Sequence, residues 1–261
     1  MKKILLTAAI FIILLWPDGA LAELTFLQAN QDGASATEYT FSGESLGAAA
    51  ADRYIIIGVN SRGLNATRTL DAVTVGGESA TVVTQTPNTT SHTTLSGIAI
   101  VLVASGTTGD VVVTFDAGML RCGIGLWRAD SLDSATPNDT GGSTAADPTY
   151  DIDINAGGFA VGTVHAVGDV GQATAVWTGI AEDYDQQLEG VSSHTGASDT
   201  FVAQQTNLTL TATLSNTQAT LCTGAFASWD MTEAPEPTPT PVGKPRRDII
   251  KIKSENLIVL K

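Results

Sequence analysis

The sequence predicts an all-β protein, and we expect an antiparallel β-sandwich of the jelly-roll-like kind. Three observations support this fold class. The chain of 261 residues is 43% hydrophobic and only 15% charged, and its 36 Thr and 26 Gly residues favour β structure over helix. Short runs of β-branched or alternating residues recur between Gly, Asn, Asp and Pro. No stretch keeps a helical apolar period over three turns.

The predicted strands follow one another at short intervals, as in sandwiches and barrels. Gly76 and Gly77 stand between two Val-rich runs, and both central positions of a tight hairpin turn can demand a positive φ. A hairpin is therefore predicted there. The predicted strands are 24–28, 37–41, 54–59, 72–75, 80–84, 98–103, 111–115, 122–127, 159–165, 173–177, 200–203, 208–214 and 221–229.

A weak internal similarity divides the predicted sandwich body, residues 23–231, into halves at 53–127 and 158–229. Each half opens with an apolar strand and closes with a Cys-containing strand that ends in Trp. The repeat indicates an internal duplication, which would give two tandem sandwiches or the two halves of one larger sandwich. We expect one sandwich, because each half has too few predicted strands to cover both faces. The polar stretch 130–148 is predicted to be a long loop.

The first 22 residues have the layout of a secretory signal peptide. Two lysines precede an apolar run at 4–16, and the small-residue motif 20–22 ends before Glu23. The apolar run is too short for the roughly 20 residues of a membrane-spanning helix. We therefore expect cleavage before Glu23 and a secreted, periplasmic or cell-surface product with no transmembrane segment.

Charge is distributed unevenly along the mature chain. Residues 23–243 contain 24 Asp and Glu against five Arg and no Lys, a net charge of −19. Such a body would repel nucleic acid, which is bound through clustered basic residues. A Pro-rich spacer at 232–243 leads to a tail at 244–261 that carries six basic and two acidic residues, or +4. We expect the tail to form strands that pair with the body of the same molecule, with another copy of the protein or with another surface protein.

The best candidate ligand surface combines aromatic and acidic side chains. Trp177 and Tyr184 could stack on sugar rings, and glycans are therefore candidate partners. Glu182, Asp183 and Asp185 lie next to them, and glycoside hydrolysis needs only two carboxylates. An acidic, solvated loop is the alternative.

Two further sets of residues are candidates for metal binding and cross-linking. Asp147, Asp151 and Asp153 supply oxygen ligands for Ca²⁺, although the glycine-containing calcium loop is missing. No other cofactor is expected. Cys122 and Cys222 occupy corresponding places in the two halves, so an exported protein could join them in a disulfide. Buried free thiols are the alternative.

The sequence offers no recognisable catalytic motif. His92, His165 and His194 lie far apart and form no HxH or HExxH arrangement. There is also no GxSxG nucleophile elbow, Walker A loop or dinucleotide fingerprint. The sequence thus predicts a protein that is not an enzyme.

Three segments resemble known proteins: 53–62, 107–115 and 122–129 look like parts of uncharacterised β-rich proteins of phages, prophages and marine bacteria. The resemblance covers about residues 35 to 230. It implies a virion-associated or surface structural role and carries over no catalytic residues. The signal peptide departs from virion proteins assembled in the cytoplasm and favours a cell-surface or secreted relative.

We therefore expect a secreted or cell-surface, non-enzymatic structural or adhesive β-sandwich. Its C-terminal tail would mediate attachment or assembly. The alternative is a carbohydrate-binding module, with or without Ca²⁺, and a glycosidase is the third hypothesis.

Overall fold

The computed structural model describes residues 23–64, 66–88, 92–218 and 220–232. The predicted signal peptide, nearly all of the spacer and the whole tail lie outside these residues. Within the described ranges the chain forms strands and turns, with no helix and hence none that could cross a membrane. The strands are β1 (Leu24–Asp32), β2 (Ala36–Ser45), β3 (Tyr54–Arg62), β4 (Leu70–Val75), β5 (Glu78–Ser79), β6 (Thr81–Pro87), β7 (Thr94–Leu102), β8 (Thr108–Met119), β9 (Arg121–Ala129), β10 (Asp139–Ser143), β11 (Thr149–Ile154), β12 (Phe159–Val167), β13 (Thr174–Thr178), β14 (Ala181–Gln187), β15 (Ser192–Thr200), β16 (Gln205–Ser215) and β17 (Thr223–Trp229).

These strands form four antiparallel sheets. Inner sheet 1 has the order β1-β9-β3-β7-β6, and outer sheet 1 the order β2-β8-β4-β5. Inner sheet 2 has the order β10-β17-β12-β15-β14, and outer sheet 2 the order β11-β16-β13. The predicted all-β class is confirmed, and the arrangement is consistent with a β-sandwich. The jelly-roll assignment stays a prediction.

The two pairs of sheets have the same strand order. When β5 is omitted, strands β10 to β17 can be matched one by one, in chain order, to the remaining eight strands from β1 to β9. The strand order of inner sheet 2 is then that of inner sheet 1, and the strand order of outer sheet 2 is that of outer sheet 1. Strands β1 and β2, and likewise β10 and β11, precede the ranges 53–127 and 158–229 in which the sequence similarity is visible. With these strands each half has two sheets of its own. The reason given for one larger sandwich, too few strands in each half, therefore no longer applies, and the choice between one sandwich and two stays a prediction.

Three apolar layers lie between the sheets. One core fills the space between the sheets of the first half, and another fills the corresponding space in the second half. A third contains side chains of both inner sheets, so the inner sheets pack face to face. We call this third layer the inner interface. The first six residues of strand β3 are an unbroken apolar run because Ile55 and Ile57 face the first core while Ile56 faces the inner interface.

Several local predictions can be compared with these strands. Gly76 and Gly77 have φ of 59° and 89° and connect β4 to its partner β5, so the predicted hairpin is confirmed. Strand β10 lies inside the predicted loop 130–148. Strands β14 and β15 carry polar sequences and were not predicted, whereas the predicted strand 200–203 meets the end of β15 only at Thr200.

Both ends of the described chain meet at one end of the body. The amide of Asp130 donates to the carbonyl of Glu23 at 3.0 Å, and the amide of Thr232 donates to the carbonyl of Ser131 at 2.7 Å. We call this the proximal end. Arg62 and Arg121 lie at the other end of the nine-residue strands β3 and β9, about 30 Å away, and mark the distal end.

Candidate functional site

The inner interface changes character from the proximal to the distal end. Its proximal part is apolar and contains Ile56, Trp127, Phe159 and Trp229, all fully buried. Its distal part is polar although it is buried just as completely. We call this distal part the polar cluster, and its members are Asn60, Ser96, Thr163, His165, His194 and Thr223.

Hydrogen bonds in the polar cluster connect the two halves. The Asn60 amide donates to Thr163 Oγ1 across the inner interface at 2.6 Å. Ser96 Oγ lies 2.8 Å from Asn60 Oδ1 and accepts the backbone amide of His165 at 3.1 Å. Ser96 Oγ also lies 2.9 Å from the carbonyl oxygen of Thr223. Because these bonds are directional, they fix how inner sheet 1 sits on inner sheet 2.

Two of the three histidines come together in this cluster. His165 and His194 lie directly opposite each other on β12 and β15, and both are fully buried. Neither ring has a hydrogen-bond partner among the described residues, so four imidazole nitrogens are unsatisfied. Burial lowers the pKa of both histidines to about 3, and the positive charge of Arg62 adds to this effect for His165. Both rings are therefore neutral at pH 7.

Glycines make room for the large side chains of this region. A Cβ at Gly125 of β9 would lie 2.5 Å from Tyr184 Cε1, and a Cβ at Gly196 of β15 would also collide with that ring. A Cβ at Gly123 would lie 2.6 Å from His194 Nδ1. The alternating glycines of β9 thus form slots for side chains of the second half.

No family model, curated protein or solved structure matches this chain. The chemistry of the inner interface and of the body's two ends is therefore the guide to function.

The aromatic residues of the predicted ligand surface are buried in two different layers. Trp177 faces the core of the second half, where its Nε1 donates to Thr195 Oγ1 at 2.9 Å. Tyr184 faces the inner interface and stacks on Phe26 with ring centroids 5.5 Å apart. The predicted aromatic platform is therefore not formed, because neither ring presents a face to solvent.

The acidic residues of that surface are engaged separately. Asp183 Oδ2 accepts Trp127 Nε1 and Ser198 Oγ, each at 2.7 Å. Asp185 Oδ2 accepts the backbone amide of Ala175 at 3.0 Å, and Glu182 is exposed. Burial raises the pKa of Asp183, while the hydrogen bonds from Trp127 and Ser198 lower it. The two aspartates hold strands and a core tryptophan in place rather than facing a shared cleft.

The predicted calcium ligands do not converge. Asp147 Oδ1 accepts the amide of Leu214 at 2.8 Å, and Asp153 Oδ1 accepts the amide of Asn207 at 2.7 Å. Asp151 Oδ1 accepts the Thr209 hydroxyl at 2.6 Å. Each carboxylate thus satisfies a different group of β16. Among the described residues, no three His, Cys, Asp or Glu side chains come together as a metal site.

The predicted disulfide is not formed. Cys122 and Cys222 are both buried free thiols. Cys122 faces the core of the first half, while Cys222 packs with Ala166 and Ala173 on the far side of inner sheet 2. The two thiols therefore point away from each other, with the inner interface between them. Burial raises the pKa of both thiols.

Sequence reasoning missed the polar cluster. The histidines stand 29 positions apart, and only the register of β12 against β15 brings them together. The available signal was the alternation of glycines at 123 and 125, which predicts a close approach by another element without saying which one.

Proposed function

We propose that this protein is an exported structural or adhesive protein that attaches or assembles through its tail, residues 244–261. The observation that supports this best is the meeting of the body's two ends beside Asp130 and Ser131. The chain leaves the body right after the last strand, so the spacer and tail can extend from the proximal end without crossing a sheet. The distal end then points away from the attachment point.

The packing of the body supports a mechanical role. The inner interface is filled by fully buried side chains along its length, and directional hydrogen bonds connect the halves at the polar cluster. Two halves joined in this way move as one rigid block. Such a block holds the distal end at a fixed distance from the surface or molecule to which the proximal end is attached.

Charge and reach support the tail as the attaching segment. The tail carries +4 and residues 23–243 carry −19, so electrostatic attraction brings the tail of one copy toward the body of another. The 12-residue spacer at 232–243 contains four of the chain's nine prolines and would extend about 35 Å in a polyproline conformation. That length suffices to reach a second molecule.

Light scattering coupled to size exclusion tests this proposal on residues 23–261 and on a chain that ends at Glu233. We expect association of the longer chain only. Ile250→Pro should weaken association because proline removes a backbone donor from a pairing strand. Pro241→Ala in the spacer is the matched control and should associate normally. Equal association of the full and shortened chains would refute attachment through the tail, and monomers in both cases would exclude self-assembly.

A further inference from the structure

Two arginines face each other at the distal end of inner sheet 1. Arg62 of β3 and Arg121 of β9 are directly opposite in the antiparallel register. They stand on the strand face that also carries Asn60 and Trp127, which is the face toward the inner interface. Arg68 lies close by, since a Cβ at Gly63 would be 3.6 Å from its Cγ. Three of the five arginines in residues 23–243 thus gather at this end.

No carboxylate of the described residues forms an ion pair with either arginine of the opposed pair. Among the described residues the single ion pair is Arg128 with Asp130, at the proximal end. Arg62 Nη1 lies 3.4 Å from the Ser192 hydroxyl, and Arg121 Nη1 donates to the carbonyl of Glu189. The Nε atoms of both arginines are buried and have no hydrogen-bond partner in the part of the chain that the structure describes. Like charges directly opposite on neighbouring strands repel each other, so a bound negative charge would stabilise this arrangement.

The surroundings favour an anion over a cation. The two imidazoles of the polar cluster lie further inside and supply no negative charge, because an imidazole side chain is either neutral or positive. An open surface depression of about 340 Å³ adjoins Arg121 and is lined by Gln31, Gly33, Gln187, Glu189 and Gly190. Its amide side chains can donate hydrogen bonds, whereas Glu189 is its one acidic lining residue.

We propose that Arg62 and Arg121 bind a single oxyanion group, namely a sulfate, a phosphate or a carboxylate. A guanidinium presents planar pairs of N–H donors that match such groups, and two guanidiniums can bind opposite sides of one oxyanion. The Ser192 hydroxyl adds a further donor. The claim that this site makes the protein's adhesive contact rests on the proposed function, in which the tail attaches the protein at the opposite end. As an oxyanion site it stands independently of the tail.

Isothermal titration of residues 23–261 tests the site with sodium sulfate and inorganic phosphate, each against sodium chloride at equal ionic strength. Sulfated, carboxylated and neutral polysaccharides form a second series. Saturable binding of sulfate or phosphate alone identifies a small free ion as the source of the group. Tighter binding of a charged polysaccharide identifies a polymer-borne group. Absence of saturable binding in both series would overturn the proposal.

Matched variants locate the site. Arg62→Gln and Arg121→Gln should each weaken binding at least tenfold, while Glu189→Gln should tighten it by removing a negative charge from the depression. Arg128→Gln is the control, because it removes one positive charge at the proximal end. Equal binding by the Arg121→Gln and Arg128→Gln proteins would overturn the proposal. Thermal unfolding verifies that each variant is folded, and either distal arginine suffices for the test.

The chain that ends at Glu233 separates the two proposals. Oxyanion binding by this chain together with unchanged association would refute attachment through the tail and leave the site standing. Loss of association together with absence of anion binding in every chain would refute only the site.

Discussion

The two ends of the inner interface are equally buried and chemically opposite. At the proximal end Trp127, Phe159 and Trp229 close the gap between the halves with apolar surface. At the distal end the same two sheets are joined by hydroxyl and amide groups and enclose two imidazoles that have no hydrogen-bond partner among the described residues. Each buried unsatisfied nitrogen costs about 1 to 3 kcal/mol. The comparison indicates that the proximal end stabilises the contact and that the distal end fixes its geometry at a cost.

A cost of this kind is informative because natural proteins break packing rules mainly at sites with a role. The unsatisfied nitrogens and the opposed arginines occur together at the distal end. The proximal end, where the chain leaves the body, satisfies its polar groups: Trp127 Nε1 donates to Asp183 at 2.7 Å and Trp229 Nε1 to the carbonyl of Ala135 at 3.1 Å.

The largest effect of a substitution on the free energy of unfolding is expected at the proximal end. Trp127→Ala removes a fully buried side chain and one of the two side-chain donors to Asp183, leaving the Ser198 hydroxyl as the other. We expect the free energy of unfolding to fall by about 3 to 5 kcal/mol. Urea denaturation followed by circular dichroism measures this loss. Val176→Ala, at a side chain that is 65% exposed, is the control and should change stability by about 0.5 kcal/mol or less. Similar losses for both would contradict the role of the proximal end.

An intermediate effect is expected in the polar cluster. Thr163→Val keeps the shape of the side chain but removes the hydroxyl that accepts Asn60 at 2.6 Å. The Asn60 amide would then be buried without its partner, so unfolding should become easier by about 1 to 3 kcal/mol. The same denaturation experiment applies, with Thr213→Val on the exposed face of β16 as control. Unchanged stability of the Thr163→Val protein would show that the hydrogen bond contributes nothing.

The smallest effect at neutral pH concerns the two histidines, whose folded pKa of about 3 lies below the ordinary value of 6.5. Between these values the unfolded chain binds more protons than the folded one. The histidines' contribution is therefore complete above pH 6.5 and is lost as the pH falls toward 3, at about 1.4 kcal/mol per pH unit for each.

Denaturation at pH 7 and pH 5 of the native chain and of the His194→Gln protein measures this dependence. We expect the variant to lose less stability than the native chain, and Val176→Ala, at an exposed side chain, to behave like the native chain. Asp183 and Asp185 act in the opposite direction because burial raises their pKa, so the comparison between variants is the decisive quantity. Equal losses for the native chain and the His194→Gln protein would contradict a buried neutral ring.

Much of the fold could be predicted from local patterns. Strands such as β3 and β9 carry apolar runs, and the glycines at 76 and 77 give the hairpin. Strand β15 could not be predicted in this way, because its Ser, His and Thr side chains are buried by the opposing sheet rather than by their own hydrophobicity. Its burial depends on a contact between halves that no single segment encodes.

The candidate site was harder to predict because aromatic and acidic residues can either form a ligand-binding surface or pack and form hydrogen bonds inside the fold. Trp177 and Tyr184 beside carboxylates suit a sugar surface, yet the alternating burial of β13 and β14 turns both rings inward. Arg62 and Arg121 stand 59 positions apart in the chain and become neighbours only through the register of β3 with β9. Pairing between distant strands therefore carries the information that residue spacing lacks.

The junction at Asp130 and Ser131 has a consequence for engineering. These two consecutive residues hold the first and last described residues of the body, Glu23 and Thr232, through one backbone hydrogen bond each. A domain whose ends lie this close can be inserted into a surface loop of a carrier protein without stretching either chain. The Gly76–Gly77 turn offers an exposed position for new termini in a circular permutant that would keep every sheet intact.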